Sequence, residues 1–254
     1  MTSHHFDLAS AGFAGGERYE RARPGYPMDA VAALCGACGI EPGRRVLDLA
    51  AGTGKLTREL VARGADVIAV EPLTAMRAQL ASRVPDIEVV DGTAERLPMD
   101  DASVDAVTVG QGFHWFDGPA ALREIHRVLV PGGAVGLIWN VMDGSVAWVA
   151  CLQELIHRHR GPSPWYTGHA WRAAFTPGCG FAVLQQRAFT NVQPVDIDGL
   201  VDRVASISFI ATLHDEERAG VMAAIRAIVA EHLPGQASFE IPYVTDIFWS
   251  HRIG

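Results

Sequence analysis

Val46-Leu47-Asp48-Leu49-Ala50-Ala51-Gly52-Thr53-Gly54-Lys55-Leu56-Thr57 decides how the chain is read. Val46, Leu47 and Leu49 supply the apolar run of a parallel strand covered on both faces. Gly52 and Gly54 permit positive φ and let a ligand approach the backbone. Leu56, Leu60 and Val61 then recur at helical spacing, which starts a helix at about Gly54. The helix points its unpaired N–H groups and positive dipole end into the crevice beyond the strand. Strand, turn and helix thus build a pocket for an anionic or hydrogen-bonding ligand at the carboxyl edge of a sheet.

Two nucleotide loops are excluded by spacing. A phosphate loop requires Gly-x-x-x-x-Gly-Lys-Ser/Thr, but Leu56 follows Lys55 and Leu49 stands where the first glycine belongs. A dinucleotide fingerprint requires Gly-x-Gly-x-x-Gly. Its two frames read Ala50, Gly52, Lys55 and Gly52, Gly54, Thr57, and both fail. What remains is Asp-x-Ala-x-Gly-Thr-Gly. It resembles the glycine loop of class I S-adenosylmethionine (SAM) methyltransferases, Asp/Glu-x-Gly-x-Gly-x-Gly. Ala50 departs from that pattern, at little cost if its φ is negative.

Bulk properties narrow the class further. The 254 residues carry a net charge of −8, with 49% hydrophobic and 20% charged residues, as expected for a globular chain with a sizeable core. The acidity speaks against broad contact with nucleic acid or anionic membranes. No apolar run approaches the roughly 18 residues of a membrane span. Met1 to Ser10 has neither a basic region nor a long apolar segment, so no secretory leader is expected and a cytoplasmic location is the default. Cys35-x-x-Cys38 lacks a second Cys/His pair at zinc spacing and reads as buried or helix-end thiols, with no metal expected.

Along the chain, Pro27 can start a helix bearing Val31, Leu34 and Cys35. Strands are expected at Arg45–Ala50, Ala65–Glu71, Ile87–Val90, Ala102–Gly110 and Ala134–Trp139. Helices are expected after Gly54, over Thr74–Ser82 with Thr74 as cap, and over Pro119–Val130, broken by Pro131-Gly132-Gly133. This alternation means parallel order and right-handed crossovers. Beyond residue 141 the pattern loosens. Ser145–His159 reads as helix, Gly180–Thr190 as strand, Asp196–Ser208 and Asp215–Leu233 as helices, and Phe239–Trp249 as a last strand.

Val46–Leu60, Val67–Pro72, Gly92–Pro98, Val104–Asp117 and Glu124–Gly133 together resemble the small-molecule class I methyltransferases. The nearest branch holds trans-aconitate methyltransferase-like and ubiquinone/menaquinone-type enzymes. Tyr19…Arg23-Pro24-x-Tyr26-Pro27, His114-Trp115-Phe116 and Ser206-x-Ser208-Phe209 look closest to the first of these. The resemblance implies an α/β fold: a Rossmann-like doubly wound sheet of about seven strands, the last antiparallel, with a partly helical cap. It implies one domain over residues 1–254, with a SAM-binding core at 17–141, a substrate cap and C-terminal elements at 142–235, and the last strand at 236–254.

Residue by residue, the resemblance implies that Asp48 meets the SAM amino group directly or through water. The backbone of Ala50, Gly52, Thr53 and Gly54 lines its methionine portion. Glu71, which lies 17 residues beyond Gly54, takes the ribose diol. Pro72 packs on the adenine, Met76 either touches the ring or packs in the core of its helix, and Thr93, Ala94 and Glu95 sit at the adenine edge. Thr93 replaces the family's frequent Asp, so the Ala94 N–H is left to serve the ring. Gln111 faces cofactor and substrate. Tyr19 and Arg23 form a lid, the arginine pairing with the SAM carboxylate.

Methyl transfer from a sulfonium needs alignment in a dry pocket above all. A carboxylate or neutral amine acceptor requires no base, whereas a phenol, alcohol or carbon acid does. His114, at the end of the fourth strand, is the candidate base; the alternative is that it only shapes the wall. Tyr26, Trp115, Phe116, Trp139, Trp165, Tyr166 and His169 are the candidate substrate residues, with Trp148 and Trp171 adding aromatic surface nearby. The expected protein is a monomer or homodimer that methylates a small molecule in specialised or secondary metabolism, uses SAM, releases S-adenosylhomocysteine, and touches neither nucleic acid nor membrane. An RNA-modifying methyltransferase and a non-catalytic SAM-binding protein are the alternatives.

Overall fold

A computed structural model describes Glu20 and residues 22–161, 163–166 and 170–254. Tyr19 and His169 lie outside the described residues. The strands are β1 (Arg45–Leu49), β2 (Asp66–Val70), β3 (Glu88–Val90), β4 (Val104–Gly110), β5 (Leu129–Met142), β6 (Gln185–Val195) and β7 (Phe239–His251). The helices are α1 (Met28–Ala37), α2 (Lys55–Val61), α3 (Thr74–Arg83), α4 (Gly118–Val128), α5 (Ala147–Arg158), α6 (Ile197–Ala205), α7 (Ser208–Ala211) and α8 (Asp215–His232).

The seven strands form one sheet in the order β3-β2-β1-β4-β5-β7-β6. β3, β2, β1, β4 and β5 run parallel. β7 runs antiparallel between β5 and β6. The order reverses between β1 and β4, and that switch point opens the crevice at the strands' carboxyl ends.

Period-two alternation sorts the core into two layers. Leu47, Val107, Leu137 and Trp139 pack against Leu122 and Ile125 of α4 on one face. Val46, Ala106 and Ile138 pack against Val31 and Leu34 of α1 on the other. Cys35 and Cys38 are buried free thiols on that second face. Burial pushes the Cys38 thiol up to about 12. Among the described residues no helix is long and apolar enough to cross a membrane.

Several expected boundaries move. β5 begins at Leu129 and ends at Met142, well beyond Ala134–Trp139 at both ends. Pro131-Gly132-Gly133 is a bulge inside it, marked by the register shift opposite Val104 and Ala106. Its far end is carried by β7, which pairs as far as Met142↔Tyr243. Thr74 is the first helical residue rather than a cap; Leu73 holds the cap position with no side-chain bond. The expected helix Asp196–Ser208 is α6, capped by Asp196 Oδ1 accepting from the Gly199 N–H (2.7 Å), and then the separate α7. β6 occupies Gln185–Val195 rather than Gly180–Thr190, so the segment 142–235 adds a strand to the sheet as well as helices. β6 is an edge strand, which is where Pro194, lacking an N–H, is tolerated.

The ends of β5 and β7 project past the short β1. Met142, Phe239, Ile241 and Tyr243 on these projections join Leu152, Leu200, Val204, Ile210, Val221 and Ile225 in a second core. α5 to α8 thus form a helical cap standing on the sheet's own strands.

α1 lies close against β5. A Cβ at Gly136 would sit 2.8 Å from Cys38 Sγ and 2.9 Å from Leu34 Cδ1, both buried. Gly136→Val is therefore expected to destabilise the fold by about 1–3 kcal/mol, read as a lower midpoint in denaturant unfolding.

Candidate functional site

The turn after β1 is tightly wound. Ala50, Gly52 and Gly54 all adopt positive φ, at 54°, 59° and 87°. Ala50 thus departs from the expected negative φ and holds a left-handed conformation that costs an L-residue roughly 1–2 kcal/mol. Its neighbour fixes the turn: the Ala51 N–H donates to Val70 O of β2 (3.2 Å).

Glu71, at the end of β2, is the hinge between loops. Its Oε2 accepts from the Gly52 N–H and its Oε1 from the Leu73 N–H, both at 2.9 Å. Each oxygen keeps a lone pair for a ligand hydroxyl. The side chain is 4% exposed, and burial raises its pKa despite these two bonds. Asp48 is buried deeper. Thr57 Oγ1 donates to its Oδ2 (2.6 Å) and Thr108 Oγ1 to its Oδ1 (3.0 Å). Burial outweighs both bonds and pushes the Asp48 carboxyl up to about 6.

Three connected cavities open along the crevice. The first is walled by Arg23, Tyr26, Asp48, Gly52, Thr53 and Gln111, with Ala50 beside them. The second is walled by Glu71, Pro72, Met76, Ala94, Trp115 and Phe116, with Thr93 and Glu95 at its edge. The third lies under the cap between His114, Trp115, Trp165, Tyr166, Arg203 and Phe209. Gln111 borders all three. It turns there at φ 61°, its N–H donating to Ile138 O (2.9 Å) and its Nε2 to Asn140 O (3.3 Å).

The structure revises several roles. Gly54 lines none of these cavities; it caps α2, and a Cβ there would collide with Leu80. Tyr26 faces the first cavity and Phe116 the second, so neither lines the acceptor side. Trp139 is fully buried, stacked between Tyr166 and Trp171 at ring distances of 4.6 and 4.7 Å, and is core rather than substrate surface. Trp148 likewise packs edge-on against Phe239 in the cap core. Trp165 and Tyr166 do line the third cavity.

His114 does not have the chemistry of a base. The Trp139 Nε1–H, which can only donate, reaches His114 Nδ1 at 3.3 Å. The neutral ring therefore carries its proton on Nε2, and its single lone pair is engaged. Burial, with the nearby Arg23 charge, pushes the ring's pKa down to about 3. His114 offers the third cavity an N–H donor.

Other residues of the site were not singled out in the sequence. Glu20 accepts from Thr53 Oγ1 (2.5 Å) and Arg58 Nη2 (2.6 Å), with Lys55 Nζ at 3.4 Å, and so ties the N-terminal strap to the glycine loop. Burial opposes its ionisation, but the Thr53 bond and the two cations hold its carboxyl low. Asn140 and Asn191 both donate to Gly25 O (3.0 and 3.1 Å), and Gln193 donates to Ala22 O (3.1 Å). Arg23 donates to Ser206 Oγ and O at 3.2 Å. The strap is thus bound down across the first cavity. Arg203, buried and lining the first and third cavities, has a readable signal: it is a cation beside the Leu200/Val204 stripe of α6.

Comparison with known proteins accords with this geometry. A family model described as a methyltransferase domain matches residues 47–137. An uncharacterized methyltransferase of Mycobacterium bovis is 40% identical over 248 residues, covering 96% of this chain and 97% of its own. A demethylmenaquinone methyltransferase of Beutenbergia cavernae is 46% identical over 98 residues, covering 38% of this chain and 41% of its own. A solved structure assigned as a type II methyltransferase, from Anaeromyxobacter dehalogenans, superposes with a TM-score of 0.70 at 22% identity, over 91% of this chain and 97% of that one. The chain belongs to the class I SAM-dependent methyltransferases.

Two outcomes are expected from the loop. Ala50→Gly relieves the left-handed strain and should stabilise the protein by about 1 kcal/mol in denaturant unfolding. Asp48 has a folded-state pKa above its ordinary 3.8, so folding disfavours its ionised form. That penalty is absent below about pH 4 and complete above about pH 7. The stability of the wild type relative to Asp48→Asn should therefore fall as pH rises through that window.

Proposed function

We propose that the chain binds SAM along the first and second cavities and methylates a small molecule held in the third, releasing S-adenosylhomocysteine. The observation that carries this reading is Gln111. Among the described residues it alone borders all three cavities, so a cofactor lying along the first two presents its reactive centre to the third. The residues fit the cofactor. Glu71 has two oxygens with spare lone pairs where a diol would lie. Gly52, at φ 59°, brings bare backbone to the crevice. Pro72, Met76 and Ala94 give apolar walls for a flat ring. Asp48, uncomfortable alone as a buried anion, gains a partner from a cationic amino group.

SAM when bound supplies an electrophilic methyl group. The chain's residues orient and enclose. Arg23 holds the strap shut over the first cavity through Ser206. Trp115 borders both the cofactor and acceptor sides and keeps the junction apolar. Among the groups lining the third cavity, His114 has its lone pair engaged, and the Tyr166 phenol, raised by burial, donates to Asp246 Oδ2 at 2.8 Å. Neither is a base at neutral pH; His157, which also lines the cavity and is kept neutral by burial and Arg160, is the ring that could take a proton there. An acceptor that already carries its lone pair, a carboxylate or neutral nitrogen, needs no such base, and alignment does the work. A pocket recessed under a helical cap, on a chain of net charge −8, favours a small molecule over RNA.

Glu71→Ala should lower SAM affinity at least tenfold, since charge-assisted hydrogen bonds contribute about 1.5–3 kcal/mol each. Isothermal calorimetry on a variant with a native circular dichroism spectrum tests it; unchanged affinity would refute the ribose assignment.

A further inference from the structure

Arg203 is an expensive residue to bury. It is 6% exposed, yet no carboxylate pairs with it among the described residues. Its side-chain partner among the described residues is neutral: Nε donates to Tyr243 Oη at 3.1 Å. Tyr243 Oη in turn donates to Gln193 Oε1 (3.0 Å), so the phenol's proton is committed elsewhere and its lone pair is presented to the guanidinium. Nη1 has no hydrogen-bond partner. A buried cation so placed is costly unless an anion joins it. The planar fork is held at Nε, and the side chain borders the first and third cavities.

Arg23 borders the same two cavities from the opposite element, the strap. No Asp or Glu lines the third cavity among the described residues, and its two histidines are both held neutral: His114 by burial and Arg23, His157 by burial and Arg160. Among the described residues the cavity thus has a cationic end and no carboxylate in its lining. The rest is apolar: Met142, Ile156, Trp165, Ile207 and Phe209.

We infer that Arg203 is a carboxylate subsite that selects the methyl acceptor, which is a small organic acid with an apolar body. The Arg203 guanidinium takes the carboxylate at the boundary with the first cavity, and the aliphatic and aromatic walls take the body. This rests on the proposed methyl transfer for its meaning, but its binding chemistry stands apart. The same carboxylate chemistry is also present in the cofactor's amino-acid end. The acceptor is favoured because Arg203 comes from the cap helix α6, and the cap core, not the glycine loop, positions it.

The test is calorimetry on the whole chain saturated with S-adenosylhomocysteine. Octanoate and 3-phenylpropanoate are titrated against their uncharged amides. On the wild type at least one acid should bind at least about tenfold more tightly than its amide, a comparison that needs no variant. Arg203→Gln should abolish that preference, Arg203→Lys should retain part of it, and neither should lower the unfolding midpoint, because a buried unpaired charge is removed or kept. S-adenosylhomocysteine and 5′-methylthioadenosine, which lacks the amino-acid end, should each bind Arg203→Gln within threefold of wild type.

Equal binding of acids and amides to the wild type overturns the inference. So does an acid preference that survives in Arg203→Gln. So does a variant that loses S-adenosylhomocysteine but keeps 5′-methylthioadenosine, which would put the cofactor's own carboxylate on Arg203. Failure of the wild type to bind S-adenosylhomocysteine is a different result and refutes the cofactor reading instead.

Discussion

One carboxylate holds the crevice together. Glu71 accepts from the backbone of the β1 loop through Gly52 and from the β2 loop through Leu73. Two turns that leave the sheet separately are thereby fixed at one spacing. The left-handed φ values at Ala50 and Gly52 depend on that anchor, because it satisfies an N–H that the tight turn aims into the crevice. Burial raises the group's pKa, so the carboxylate is kept by its bonds rather than by solvent. The same oxygens can serve a diol only because the backbone bonds do not exhaust them.

A second constraint sets the acceptor side. β5 outruns β1 at its carboxyl end, and β7 pairs with it all the way. The overhang gives α5 to α8 an apolar surface to cover, and the third cavity lies where that cover meets the end of β4. The side chains along its floor are mutually locked. Trp139 donates to His114, Asn140 accepts from Thr245 and Asn191, and Tyr166 donates to Asp246. A site built this way is rigid without being charged, apart from the two arginines.

The cofactor half was legible in the sequence because its chemistry is local. A strand, a glycine turn and an acid at the end of the next strand are contiguous signals, and Asp48, Gly52, Glu71, Pro72 and Met76, singled out through the family resemblance, all line the crevice. Ala50 was misjudged because its φ depends on the anchor from β2, which no local pattern encodes. Trp139 and His114 were misjudged for a related reason. Their roles depend on each other, and a donor–acceptor pair 25 residues apart is visible only in space. The strap's ties to Asn140, Asn191 and Gln193 cross even longer separations. Arg203 left a trace, a cation beside an apolar stripe, but only the absence of a nearby anion gives that trace meaning.

The shared strands have a consequence for how the molecule comes apart. The cap core includes Met142 from β5 and Phe239, Ile241 and Tyr243 from β7, and the same strands carry Leu137 and Phe248 in the sheet core. Neither layer can open without breaking ladder bonds that the other needs. Melting is thus cooperative across cap and sheet, in one transition rather than two. Variation in the acceptor cavity then registers as a change in the lifetime of the entire folded chain, and cap sequences can diverge only as fast as the common strands can bear.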